Sequence, residues 1–182
     1  SNIISEAWSK YRRQVDYGID AVDLDKIAAL IESNLPTKLY YTSFRDNAFD
    51  THVHQNNLHT RLLTYASDAI RGFMSDLDRM GRSNDVIILV MTEFGRRVPE
   101  NTSLGTDHGS AGPMFVIGSS VKGGHYGKIP DLVNGLDEGD NLKYTTDFRS
   151  VYATIIDKWL QVDSKNILRK SFQTFDIFDR TV

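Results

Sequence analysis

The chain contains no cysteine. That excludes disulfides, thiolate metal ligands and a cysteine nucleophile, so any metal held here is held by His, Asp and Glu. It leaves the compartment open. No apolar run approaches the roughly 20 residues needed to cross a bilayer, so no membrane segment is expected. Charge of one sign is also scarce. Against 24 Asp and Glu stand 21 Lys and Arg, a net −3, which offers no electrostatic footprint for nucleic acid. Two common signatures are missing. Lys122-Gly123-Gly124 lacks the spacing of a phosphate-binding P-loop, and there is no Gly-x-Ser-x-Gly nucleophile elbow.

What is present suits one domain over residues 1–182, with 40% apolar and 25% charged residues. Ala7, Trp8 and Tyr11 stand at helical spacing between Ile3 and Val15. A second helix is expected from Asp23, as N-cap, to Ser33. Lys38 to Phe44 reads as a strand, followed by a loop marked by Asp46, Asn47 and Asp50. From about Asn56 to Met80 the apolar residues Leu58, Leu62, Ala66, Ala69, Ile70, Phe73, Leu77 and Met80 form a 3.6-residue stripe that Gly81 terminates. Val86 to Met91 is a continuous β-branched run, the pattern of a strand buried on both faces. Strand, helix and strand over this length predict a βαβ crossover and parallel strands. Met114 to Ile117 is a further short strand. Phe148 to Leu160 is the last clear helix, with Asp147 as its N-cap, and the tail from Ile167 to Phe178 is apolar enough to dock. The expected class is therefore α/β.

Ligands of such sheets bind at the carboxyl ends of strands. Two groups of acids and imidazoles stand at such ends. One is Asp50-Thr51-His52-Val53-His54. The other is Glu93, closing the strand Val86–Met91, with the glycine-flanked pair Asp107-His108 in the loop beyond. Together they suggest one shared metal site. In an extended segment residues two apart point the same way, so Asp50, His52 and His54 are able to share a face. The alternative is that Asp50 and Thr51 cap the long helix. Asp107 is either a direct ligand or an orienter of His108, and the competing reading is a self-bonded turn. Glu93 calls for a partner, which Arg96, Arg97 or a metal would supply. Arg96 also has the guanidinium fork that suits phosphate or sulfate. His59 reads as a packing or surface residue, and His125 as part of a glycine-rich turn.

Four motifs occur in order: Phe49-Asp50-Thr51-His52-x-x-Gln55, Thr92-Glu93-Phe94-Gly95-Arg96, Gly105-Thr106-Asp107-His108-Gly109 and Val121-Lys122-Gly123-Gly124. The series resembles the family catalogued as domain of unknown function 1501, over roughly residues 35 to 160. That family looks like a branch of the alkaline phosphatase and sulfatase superfamily. The resemblance implies a three-layer α/β/α sandwich with a mostly parallel sheet, of which this chain is a C-terminal part. It implies a divalent metal, Zn or Mn with Ca or Mg as further options. Asp50, His52 and His108 become its ligands, with His54 and Asp107 as further candidates, and Glu93 serves a second ion. Superfamily members place His where Phe94 stands, so the second ion has fewer nitrogen ligands here. The hydroxyl nucleophile and an export signal to the bacterial periplasm are expected in an N-terminal part of the parent protein. The implied activity is hydrolysis of a phosphate or sulfate ester, small or polymeric. The alternative is a non-catalytic member that binds a metal or an anion as a binding or structural module.

Overall fold

The computed structural model describes residues 2–44 and 47–179; Asp46, expected in the loop before Asp50, lies outside them. The chain divides into two compact units. The first runs up to Asp85 and takes back the short segment Thr102–Gly105; the second comprises Val86–Asn101 and the chain from Thr106 onward.

The first unit is helical. Helix α1 spans Asn2–Lys10, α2 Leu24–Glu32 and α3 Gln55–Arg79, with α1 packed on α2 and α2 on α3. The 3.6-residue stripe of α3 is buried as its spacing predicts: Leu62, Ala69, Phe73 and Leu77 are inside, with Ala7, Leu24, Ala28, Ala29 and Ile31 from the other two helices. Complete burial of side chains such as Phe73 and Leu77 contributes about 1.5–3 kcal/mol each. Leu58, at the amino end of the stripe, is exposed. Helix α1 is shorter than expected, and Tyr11 is buried just beyond its end. Asp23 does stand at the N-cap of α2. Its φ of +59°, however, takes the carboxylate away from the helix amides, and the carboxylate accepts a bond from Lys26 Nζ at 2.6 Å instead. Gly81, at φ +69°, ends α3 as expected, and the amide of Arg82 reaches back to the carbonyl of Leu77.

One buried charge organises this unit. Asp76 is wholly inaccessible and lies on the apolar face of α3. Its Oδ2 accepts from the hydroxyls of Tyr11 and Tyr17, the latter at 2.8 Å, and its Oδ1 accepts from Arg79 Nε at 2.7 Å. Arg79 in turn reaches Glu32 at 2.9 Å. A buried carboxylate is tolerated only when its lone pairs are used in this way.

The second unit holds the strands. Strand β1, Ile88–Val90, pairs antiparallel with β4, Phe115–Ile117, in the register Ile88 to Ile117 and Val90 to Phe115. Strand β2, Gly95–Arg96, pairs antiparallel with β3, His108–Gly109. Two expectations are corrected here. Residues 38–44 join no ladder, so the βαβ crossover that would make β1 a parallel strand is not formed among the described residues. The run from Val86 to Val90 is half-buried rather than covered on both faces. Apolar composition alone does not distinguish a doubly covered strand from this antiparallel pair, whose residues are half-buried on both faces.

Helix α4, Phe148–Thr154, begins at Asp147, whose side chain accepts from the amide of Arg149, and runs directly into a π-helical turn, Ile155–Trp159. A short helix α5, Ser164–Leu168, follows. The tail then docks as expected. Buried Thr154 donates to Ser150 O at 2.6 Å and accepts from the amide of Phe175 at 3.0 Å. Ile177 and Phe178 are buried, and Phe178 bridges to Val121.

Candidate metal centre

The segment before α3 is pinned by backbone bonds. The amides of His54 and Gln55 donate to the carbonyls of Ser103 and Leu104, each at 2.9 Å. Gln55 Nε2 reaches back to the carbonyl and hydroxyl of buried Thr51, both at 3.0 Å. Gly105 lies against His52 so closely that a Cβ there would stand 2.2 Å from the His52 carbonyl oxygen. Thus the loop Thr102–Gly105 forms a backbone clamp on residues 52–55. Within the clamped segment, Asp50 Oδ1 and His52 Nε2 are 2.9 Å apart.

His108 is placed by the β2–β3 ribbon. It pairs with Arg96, and the amide of Arg97 donates to the Asp107 carbonyl at 2.9 Å. Arg96 Nη1 donates to the Thr106 carbonyl at 2.7 Å. The His108 imidazole stacks on the Phe94 ring with centroids 3.7 Å apart and planes 11° from parallel. The Arg96 guanidinium carbon lies 5.1 Å from the centroid of the same Phe94 ring.

One ligand atom each from Asp50, His52 and His108 lies within 4.8 Å of the others, a possible metal-ligand triad.

The other candidates stand outside the gathered group among the described residues. His54 adopts φ +44° and ψ +45° at the start of α3, which breaks the two-residue alternation that would have aligned it with Asp50 and His52. Asp107 turns its carboxylate to Asn101 Nδ2 at 3.1 Å. Glu93 is exposed, so the burial that would demand a counter-charge is not present. His59 is half-buried and meets the edge of Phe49, as a packing residue does. Phe94, expected only as the residue standing at a ligand position, instead packs on His108, a contact made by a two-residue ladder that leaves no periodic signal in the sequence.

The residues gathered here define a chain with a carboxylate and two imidazoles able to meet a divalent cation. The chain belongs to the family described as "Protein of unknown function (DUF1501)", whose model matches residues 12–171, a wider span than the four motifs alone. No curated protein and no solved structure matches the chain. No helix among the described residues is long and apolar enough to cross a membrane.

Proposed function

We propose that this chain carries the metal-binding part of a phosphate or sulfate ester hydrolase. The observation that supports this reading is the convergence of Asp50, His52 and His108. A carboxylate and two neutral imidazoles form a donor set suited to Zn or Mn. Ligand atoms on one ion stand about 3.0–3.5 Å apart when each bond is about 2.1 Å. The 2.9 Å between Asp50 and His52 fits that edge. Asp50 and His108 are exposed, so their side chains have room to turn.

When bound, a divalent cation supplies Lewis acidity toward an ester oxygen and lowers the pKa of a coordinated hydroxyl. The chain's own residues have separate tasks. Asp50 brings negative charge that balances part of the ion's. His52 and His108 each offer a ring nitrogen to the ion. Arg96, the cross-strand partner of His108, brings positive charge for an anionic ester. The three-layer α/β/α frame with a mostly parallel sheet belongs to this same proposal, as does the hydroxyl nucleophile supplied by the parent protein.

A second reading has its own observations. Phe94 is engaged in a ring stack where superfamily enzymes are expected to place a ligand, and Glu93 stands outside the triad. Those features favour a one-ion, non-catalytic member that binds an anion or a partner without turnover.

The test is metal analysis of the protein after dialysis against Zn or Mn, beside His108→Ala and Asp50→Ala. We expect about one tightly held ion per chain in the parent and an affinity loss in each variant beyond the ~10–100-fold typical of an outer partner. Equal metal content in all three proteins sinks the site. Given binding, turnover of generic phosphomonoester, phosphodiester or sulfate ester substrates by the full-length protein, lost in its variants, supports the hydrolase. Binding without turnover in that full-length protein supports the second reading.

A further inference from the structure

We propose that Phe94 is a positioning residue for His108, one that fixes the plane of the imidazole and so sets the direction in which its nitrogens are offered to a cation. The inference rests on the metal-site reading above and adds to it the device that holds one ligand.

A histidine side chain turns about two soft torsions, and a flat neighbour that packs on its ring limits both. His108 is exposed, and its backbone ladder with Arg96 fixes only the Cα and Cβ. A metal-bound imidazole usually gains its orientation from a hydrogen bond at the other ring nitrogen. Here the ring face is held by a neighbouring ring as well. The Phe94 ring lies 3.7 Å from the imidazole and within 11° of parallel, a separation at which tilting either ring produces a clash. Phe94 is itself braced, because the Arg96 guanidinium carbon lies 5.1 Å from its centroid while Arg96 Nη1 is bonded to the Thr106 carbonyl at 2.7 Å. Position 95 admits only glycine beneath this stack: a Cβ there would stand 1.6 Å from the Ala111 carbonyl oxygen, so the strand carrying Phe94 and Arg96 is pressed onto its neighbour. Phe94, Arg96 and His108 thus form one packed layer built from β2 and β3. A ring that holds a ligand's plane lowers the cost of ordering that ligand when the ion arrives.

The test compares Phe94→Leu, which keeps apolar bulk without a flat face, with Phe94→Trp, which keeps the face. Zn affinity is measured by competition with a chromogenic chelator, and Co(II) spectra report the ligand geometry. We expect Phe94→Leu to bind Zn about 10–100-fold more weakly, with altered Co(II) bands, and Phe94→Trp to stay within about threefold of the parent. Melting temperature without metal checks that each variant folds. An independent measurement needs no variant. In the metal-free parent the ring current of Phe94 should shift the His108 ring protons upfield in the NMR spectrum, and ordinary histidine shifts would overturn the stack. Parent-like Zn affinity and Co(II) bands in Phe94→Leu, with His108→Ala still losing the ion, overturn this inference and leave the metal site standing. A parent protein that binds no Zn or Co overturns both.

Discussion

A Cβ built on Gly105 falls 2.2 Å from the carbonyl oxygen of His52 and 2.5 Å from its carbonyl carbon. Both are backbone atoms, so a methyl group there cannot be absorbed by a side-chain rotation. Gly105→Ala must push the His52 backbone away or break the bonds that tie residues 54 and 55 to the loop. We expect a stability loss of about 1–3 kcal/mol, as for other overpacked sites, together with weaker metal binding because His52 moves. Urea titration and a chelator competition measure the two effects. Gly123, with nothing within 4 Å of its would-be Cβ, is the control. Gly123→Ala should stay within about 0.5 kcal/mol of the parent, and a Gly105→Ala protein that matches it would mean the clamp does not set His52. At this scale much of the site was legible. Asp50, His52 and His108 stood out because imidazoles and acids in glycine-flanked loops are chemically conspicuous. His54 misled because its left-handed backbone is invisible in residue type. Asp76 was missed, although it lies three residues after Phe73 and seven after Ala69, on the stripe that α3 buries. An acid on an apolar stripe is the signal; its partners Tyr11 and Tyr17 are 65 and 59 residues away, which no local pattern reveals.

At the scale of elements, helices were readable, while strands were readable only where an apolar run marked them, as in β1 and β4, for a physical reason. A helix satisfies its backbone within itself, so α3 and α4 follow from apolar spacing and a cap. A strand takes its bonds from a partner elsewhere in the chain. Residues 38–44 have the composition of a strand and no ladder, while Gly95–Arg96 and His108–Gly109 pair although two residues have no period to detect. The cap of α4 shows how much one side chain adds. Asp147 accepts from the amide and side chain of Arg149, at 2.9 Å and 2.7 Å, and these bonds, the guanidinium first, draw its carboxyl down to about 2. A carboxyl lowered on folding adds stability that is fully present above its unfolded value near 4 and is lost as pH falls through about 2. Asp147→Ala should therefore lower the urea midpoint at pH 7, and Asp147→Asn, which keeps a capping oxygen, should lower it less. The gap between parent and Asn variant should close as pH falls from about 4 to about 2. A gap that is the same at both ends would show that charge plays no part.

For the molecule as a whole, pH sets stability from two sides. On the acid side Asp131, Asp137 and Asp176 join Asp147 in having lowered carboxyls, the first two held chiefly by backbone amides and the third by Lys122. Their contributions are complete above about pH 4 and fade below it. On the alkaline side the Tyr11 phenol is pushed up to about 12, first by burial and then by its bond to Asp76, and burial also raises Tyr17. A phenol raised above its unfolded value near 10 adds stability that is complete below about pH 10 and is lost as pH climbs through about 12. The metal-free chain should thus show a plateau from about pH 5 to 9 and fall on either side. Tyr11→Phe removes one buried donor from Asp76 and should cost about 1–2 kcal/mol at pH 8. The same variant has no phenol to ionise at that site, so its stability should fall less steeply than the parent's between pH 10 and 12. Urea unfolding across pH 8–12, with chelator present to remove any bound ion, decides the point. Parallel curves for the two proteins would mean that alkaline unfolding begins elsewhere and that the Asp76 cluster is only a packing feature.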